Sequence, residues 1–421
     1  MLLGCIADDL TGATDLAIML TRAGMRTLQV MTVPTPGDTG LAGYDAIVVA
    51  LKTRTCPVAE AIDQSLKSAE ALLALGAKQL FFKYCSTFDS TDEGNIGPVA
   101  EALMARLGAD LALACPAFPT NKRTVYMGNL FVGDVPLAES PMKDHPLTPM
   151  RDSNLVRVLQ RQSKGKVGLV PYPVVEKGRG AIGEAFAAAR QRGKRLVVVD
   201  AITDRDLIEM GAAASDMPLI TGGSGVALGL PANFIAKGFM KAADAPQSMP
   251  APRGCSAVLA GSCSEATRGQ ISVAKSAGMP AFEVDPLSLA SGALSEQAIV
   301  AWAEARAKEK PFLIYSSAEP AVVKAVQDKL GREAAGSLVE RTLAGVAKAL
   351  VAGGVTRLIV AGGETSGAVV NGLGVTALEI GPEIDPGVPW TRAVGHDLVL
   401  ALKSGNFGAT DFFVKAWDKL A

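Results

Sequence analysis

Leu2-Leu3-Gly4-Cys5-Ile6-Ala7-Asp8-Asp9-Leu10-Thr11-Gly12-Ala13-Thr14-Asp15 is the stretch on which the fold turns. A run that is apolar on both faces, Leu2–Ala7, gives way at once to two carboxylates. A segment of helical period, Gly12–Ala23, comes next. A strand with no polar face must be covered on both sides, which points to a parallel sheet flanked by helices.

The same rhythm extends outward from this start. Arg26–Val33, Ala46–Leu51, Gln79–Phe82 and Leu111–Cys115 read as strands, with helices over Val58–Leu75 and Pro98–Leu107. After an irregular stretch the pattern resumes with Val167–Val170, a helix over Ala181–Arg192, and Leu196–Val199. Ala242–Gly254 is rich in Pro and Ala and has no period, so it reads as a linker. Beyond it the alternation restarts. Ala257–Leu259, Phe312–Tyr315, Leu358–Val360 and Leu398–Leu402 read as strands, and Ser264–Ala277, Arg332–Ala352, Thr365–Leu373 and Asp411–Lys419 as helices. The expectation is an α/β protein of two domains, 1–241 and 255–421, each with a mainly parallel sheet flanked by helices.

Composition narrows the class. The 421 residues are 49% hydrophobic and 20% charged, ordinary values for a globular protein with enough apolar material for two cores. A net charge of −1 without a basic block argues against a nucleic-acid partner. No apolar stretch reaches the roughly 20 residues of a membrane span, and the first residues carry no charged leader, so a cytoplasmic protein is expected. The six cysteines form no CxxC pair, and the only histidines, His145 and His396, stand apart. Neither a disulfide framework nor a zinc site is expected. A homodimer is compatible with all of this.

In open α/β sheets ligands sit beyond the carboxyl ends of strands. The first such junction holds Asp8 and Asp9, either of which can orient a hydroxyl or act as general base. Helix capping is the plainer use of the same residues. The second, Lys83-Tyr84-Cys85-Ser86-Thr87, offers a cation and two hydroxyls for a carboxylate or phosphate, or else is a polar surface loop. The third begins at Cys115-Pro116 and runs irregularly through Lys122, Arg123 and His145 to Ser153. A loop of that length is more often functional than filler. His145 beside proline is more often structural than a base.

Three glycine-rich turns each come after a strand in the second half: Gly261-Ser262-Cys263-Ser264, Gly362-Gly363-Glu364-Thr365 and Ser404-Gly405-Asn406. Glycine lets backbone N–H groups approach phosphate, and a helix N-terminus just beyond favours anions. A fourth cluster, Thr221-Gly222-Gly223-Ser224-Gly225, can be a hinge, a packing turn or a rim. No GxxxxGK[ST] is present, so the turns do not form a P-loop. Gly372-Leu373-Gly374 comes after a helix, so it reads as a helix-ending turn, which weakens an NAD-linked alternative.

ADDLTGATDLA, KYCSTFDSTDEGNIGPV, PAFPTNKRTVYMGNLFVGDVPLAES, GGETSGAV and LKSGNFG together resemble the four-carbon acid sugar kinases over nearly the whole chain. KYCSTFDST and DHPLTPMRDSNL resemble the branch acting on 3-oxo-tetronate rather than on threonate or erythronate. The resemblance implies a sugar-acid-binding N-terminal domain and a nucleotide-binding C-terminal domain, with the active site in the cleft between them. The implied reaction is ATP-dependent phosphorylation of the substrate's C4 hydroxyl, with Mg²⁺ on the triphosphate. It also implies ATP contacts at Ser262 or Ser264, at Gly362, Gly363, Glu364 and Thr365, and at Gly405. Combined with the junction reading, Asp9 or Asp8 would take the hydroxyl proton, and Lys83, Ser86, Thr87, Arg123 and His145 would face the sugar acid. Many members carry Gly where this chain has Lys122. A sister threonate or erythronate kinase, or a non-catalytic sugar-acid binding protein, is the alternative.

Overall fold

A computed structural model describes all residues except 35–40, 42, 146, 242–248, 307–309, 318, 319 and 421. The chain forms two compact units, Met1–Ala245 and Pro246–Ala421. Residues 242–248 of the expected linker lie outside the described residues.

In the first unit the strands are β1 (Leu3–Ala7), β2 (Thr27–Val30), β3 (Ala46–Ala50), β4 (Gln79–Lys83) and β5 (Ala112–Cys115). Next comes a small antiparallel sheet made of β6 (Arg123–Tyr126), β7 (Asn129–Val132) and β8 (Val135–Pro136). β9 (Lys166–Val170), β10 (Lys194–Val199) and β11 (Leu219–Gly222) complete the main sheet. Its order is β2-β3-β1-β4-β11-β5-β10-β9, and every pairing is parallel. β1 and β3 are buried along their whole length, as two-sided apolar runs require. The helix Leu10–Arg22 turns Ala13, Leu16, Ala17 and Leu20 inward, the spacing of one helical face.

In the second unit the strands are β12 (Cys255–Ala260), β13 (Ala281–Glu283), β14 (Phe312–Tyr315), β15 (Val355–Ala361), β16 (Ala377–Asp385), β17 (Val388–Ala393) and β18 (Val399–Lys403). Their order is β13-β14-β12-β15-β18-β17-β16. The first five strands in that order pair in parallel, and β18, β17 and β16 pair antiparallel. Trp390 of β17 is fully buried and donates its indole N–H to the Ala416 carbonyl at 2.8 Å, which ties the chain's end to the core.

Three features depart from the sequence reading. The strand expected over Arg26–Val33 is only Thr27–Val30. The stretch between Cys115 and Ser153, irregular by sequence, contains the β6–β8 sheet. β11, β13 and the β16–β17 hairpin have no counterpart among the expected strands: β11 and β13 are four and three residues long, and β16 is interrupted by Gly381-Pro382 and shifts register there. Gly374, at φ +68°, ends the helix Gly363–Gly372 as expected.

Candidate functional site

In the first unit, Ala7, Ala50 and Lys83 stand in register across β3-β1-β4, and Gly222 of β11 is level with Lys83. The loops that leave these strand ends therefore gather at one edge. The chain crosses to opposite sides of β1 on its way to β3 and to β4, so the crevice for a ligand falls beside β1.

Arg54, in the loop after β3, organises this edge. Its Nε donates to Asp8 Oδ2 at 2.9 Å, and its Nη2 donates to Asp8 Oδ1 at 2.8 Å and Asp9 Oδ1 at 2.7 Å. Those bonds use three of the guanidinium's five donors. Nη1 makes a longer ion pair with Asp89, at 3.8 Å, and no hydrogen bond among the described residues. Asn95 fixes the loop by donating to the carbonyls of Thr53, Arg54 and Cys56. Asp9 also caps the helix Leu10–Arg22, accepting from Gly12 N–H at 3.0 Å and from the Thr11 hydroxyl at 2.8 Å.

Electrostatics separates the two carboxyls. Burial raises the Asp8 carboxyl, against the pull of Arg54. Burial also works against ionised Asp9, but Arg54, Lys83, Thr11 and Gly12 outweigh it, and Asp9 lies below the ordinary carboxylate range. The Lys83 ammonium is buried, donates to the Tyr84 carbonyl at 2.8 Å, and packs so close to Gly12 that a Cβ there would stand 2.9 Å from Nζ.

The sequence-predicted residues divide between this cluster and its surroundings. Asp8, Asp9 and Lys83 meet in it. Thr87 joins its margin through Asp89 and Cys85, and burial pushes the Cys85 thiol up to about 11. Ser86 sits half-exposed in the turn closed by Phe88 N–H on the Cys85 carbonyl, where Phe88 itself adopts φ +54°. That conformation is uncommon for a bulky residue. Arg123 belongs to β6. Its Nη1 donates to the Asn121 carbonyl, and its buried Nε has no hydrogen-bond partner among the described residues. His145 accepts at Nδ1 from Thr148 N–H at 3.1 Å and lies 2.9 Å from the Thr148 hydroxyl, a local structural contact. Among the described residues, neither Arg123 nor His145 bonds to the Arg54 cluster. Lys122 adopts φ 58°, ψ 36°, the left-handed region in which glycine is unstrained, which accounts physically for Gly in the related motif.

Arg54 itself escaped the sequence reading. The signal was there in principle, because Lys52-Thr53-Arg54 lies just past a strand end like the other junctions.

In the second unit Ala260, Ala361 and Lys403 are in register, with Tyr315 level on β14, so the three glycine turns emerge side by side. They touch. Gly362 N–H donates to the Lys403 carbonyl at 2.9 Å, and Ser264 Oγ donates to the Gly405 carbonyl at 2.6 Å. A Cβ on Gly405 would lie 2.3 Å from Ser262 Oγ, and one on Gly261 would lie 2.2 Å from Thr365 Oγ1. Gly362, at φ +124°, has a backbone open to glycine alone.

Beneath the turns lies Lys403, 1% exposed. It donates to Thr267 Oγ1 and the Gly405 carbonyl, each at 3.1 Å. Burial lowers its ammonium to about 8. Beside the turns is a cavity of about 340 Å³ lined by Ser262, Gly362, Gly363, Glu364 and Thr365 at one end and by Val284, Val326 and Val339 among others. Ser262 lines it. Ser264 instead caps the helix Glu265–Ser276 through Thr267 N–H.

Comparison with known proteins fits this division. Residues 3–230 match the family described as "Sugar-binding N-terminal domain", and residues 257–413 match "Nucleotide-binding C-terminal domain". The chain belongs to the four-carbon acid sugar kinase family. A Burkholderia multivorans protein named 3-oxo-tetronate kinase is 56% identical over 416 residues, covering 99% of this chain and 96% of that one. A Cupriavidus necator protein of the same name is 55% identical, with 100% and 97% covered. A solved Salmonella typhimurium LT2 structure, described as a putative tRNA synthase, superposes with TM-score 0.90 at 43% identity, covering 100% of this chain and 99% of that one.

Proposed function

We propose that this chain is an ATP-dependent 3-oxo-tetronate kinase that transfers the γ-phosphoryl group to the C4 hydroxyl of its substrate. The observation that carries the reading is full-length similarity, above 50% identity, to several proteins bearing that name. Phosphoryl transfer asks a protein mainly for positioning and charge neutralisation, and two strand-edge sites of different chemistry suit the two reactants.

The nucleotide's phosphates lie on the turns of Ser262, Gly362, Gly363, Thr365 and Gly405, and its base lies among Val284, Val326 and Val339. Of the two serines, Ser262 faces the phosphates, since the Ser264 hydroxyl is committed to Thr267 and Gly405. Among the described residues no three His, Cys, Asp or Glu side chains gather into a metal site. Mg²⁺ keeps waters and is held largely by substrate phosphates. Glu364, exposed in the first turn of its helix, is the carboxylate that can hold it. Mg²⁺ would supply charge neutralisation.

The sugar acid lies at Asp9, Arg54 and Lys83, where the N–H groups of Arg54 Nη1, which make no hydrogen bond among the described residues and only a 3.8 Å ion pair with Asp89, meet its carboxylate. Turnover requires the two bound reactants to come together. Among the described residues no helix is long and apolar enough to cross a membrane, and a cytoplasmic location is part of the reading. A role on tRNA, as in the description of the Salmonella structure, is disfavoured by a net charge of −1 with no basic block.

A coupled ADP-release assay with a panel of four-carbon acids tests the proposal. Turnover is expected with 3-oxo-tetronate. Activity only on threonate or erythronate would move the assignment to the sister enzymes, and none at all would sink it.

A further inference from the structure

The Arg54 cluster places a substrate, yet neither of its adjacent carboxylates is free to take a proton. Asp8 gives both oxygens to Arg54. Asp9 gives Oδ1 to Gly12 and Arg54 and Oδ2 to Thr11. Asp9, below the ordinary carboxylate range, is a weak base, and Asp8, though raised by burial, has both oxygens held by the Arg54 fork and so does not present one to a substrate hydroxyl.

Asp15 differs. It lies three residues beyond Gly12, hence on the same face of the helix Leu10–Arg22 that packs Gly12 against Lys83. It is half-buried. Its Oδ2 accepts from the Ser224 hydroxyl, and its Oδ1 has no hydrogen-bond partner among the described residues. Ser224 comes from the fourth glycine cluster, for which hinge, packing turn and rim were all open on sequence alone. That cluster is a packing turn: a Cβ on Gly222 would stand 2.4 Å from the Cys115 carbonyl oxygen, and one on Gly223 would stand 2.6 Å from that of Pro116. The turn is thereby pressed against the chain after β5, and Ser224 is a fixed donor.

The charged groups facing Asp15 are Lys83 from β4, Asp9 from the head of its own helix, and Arg22 further along it. Burial raises the Asp15 carboxyl, with Asp9 adding to the rise, while Lys83, Ser224 and Arg22 oppose it. The carboxyl lies above its ordinary value, closer to the range a general base uses.

We infer that Asp15 is the general base of the transfer, with Ser224 holding its carboxylate so that Oδ1 faces the attacking hydroxyl. The inference rests on the kinase reading above. Oδ1 accepts the C4 hydroxyl proton as the O4–Pγ bond forms. The bond from Pγ to the β,γ-bridging oxygen breaks, ADP leaves with that electron pair, and Asp15 then releases its proton to water.

The test is the pH profile of kcat/KM for the full chain and for Asp15→Asn, Ser224→Ala and Asp9→Asn, with ATP and acid-sugar affinities measured by calorimetry. Asp15→Asn is expected to lower kcat by roughly 10²–10⁴-fold with both affinities within a few-fold of wild type. Ser224→Ala removes a donor that favours the ionised form, so the acid limb should move to higher pH. Asp9→Asn removes a neighbouring negative charge, so the limb should move to lower pH. A purely structural role for either residue would not produce these opposite shifts. Asp15→Asn within a few-fold of wild type would overturn the inference, as would an acid limb that neither Ser224→Ala nor Asp9→Asn moves. If wild type phosphorylates no four-carbon acid, the kinase reading fails first. If wild type turns over and Asp15→Asn does too, only the assignment of Asp15 falls.

Discussion

The two units wind their first four strands identically, β2-β3-β1-β4 in one and β13-β14-β12-β15 in the other. Each puts its candidate site beside the strand from which the chain crosses both ways. The material differs. The first unit builds its edge from charged side chains, with Asp8 and Lys83 buried and Asp9 and Arg54 half-buried. The second builds its edge from backbone, with glycines so tightly apposed that single Cβ atoms would collide. Oriented N–H groups suit phosphates, which differ little between nucleotides. A small acid must be told from its relatives by side chains placed one at a time.

The largest expected break in this comparison is Arg54→Ala. It leaves Asp8 buried without its counter-ion, and removing one partner of a buried pair costs about 3–5 kcal/mol. Activity on the sugar acid should fall at least about 10²-fold from lost positioning. Arg54→Lys should not restore it, because an ammonium cannot fork across Asp8 and Asp9. All three tryptophans, Trp302, Trp390 and Trp417, lie in the second unit. The destabilisation should therefore appear in the urea midpoint by circular dichroism while the tryptophan transition and ATP affinity stay put. A matching loss of ATP affinity would show that the two sites are not independent.

Much of the molecule is legible in its sequence, and unevenly. The parallel core is readable because two-sided burial writes itself as unbroken apolar runs such as Ala46–Leu51. The β16–β17 hairpin is hidden because a half-exposed strand interrupted by Gly381-Pro382 carries no clean period. The glycine turns stand out because their chemistry is local. Arg54 does not, since its meaning depends on Asp8, 46 residues away, and on Asn95, which holds its loop. Ser224 and Asp15 are farther apart still, 209 residues along the chain. Sequence proximity favours sites made of backbone over sites made of side-chain constellations.

Among the described residues the second unit holds one buried charge, and it gives a smaller effect. Lys403 has a folded pKa of about 8 against 10.5 for the free side chain. Between those values the unfolded chain binds the extra proton, so wild-type stability should rise with pH relative to Lys403→Met. The gain is at most roughly 3 kcal/mol, the equivalent of the whole shift, and should level off outside that window. Tryptophan-monitored urea midpoints from pH 7 to 10.5 read it directly. A flat difference would mean that the lysine is solvated in the native state.

The smallest and most discriminating contrast is between two serines two residues apart. The Ser264 hydroxyl caps a helix and bonds the Gly405 carbonyl, whereas among the described residues that of Ser262 bonds within its own turn, and Ser262 lines the cavity. Ser264→Ala should cost about 1 kcal/mol of second-unit stability, the usual value of a lost N-cap. Ser262→Ala should leave that stability nearly unchanged and instead weaken ATP binding by a few-fold, about what one hydrogen bond contributes. If the two variants exchanged these effects, the phosphate-facing hydroxyl would be Ser264's. The second unit would then use one side chain both to build its edge and to read its ligand, as proposed for Asp9 in the first.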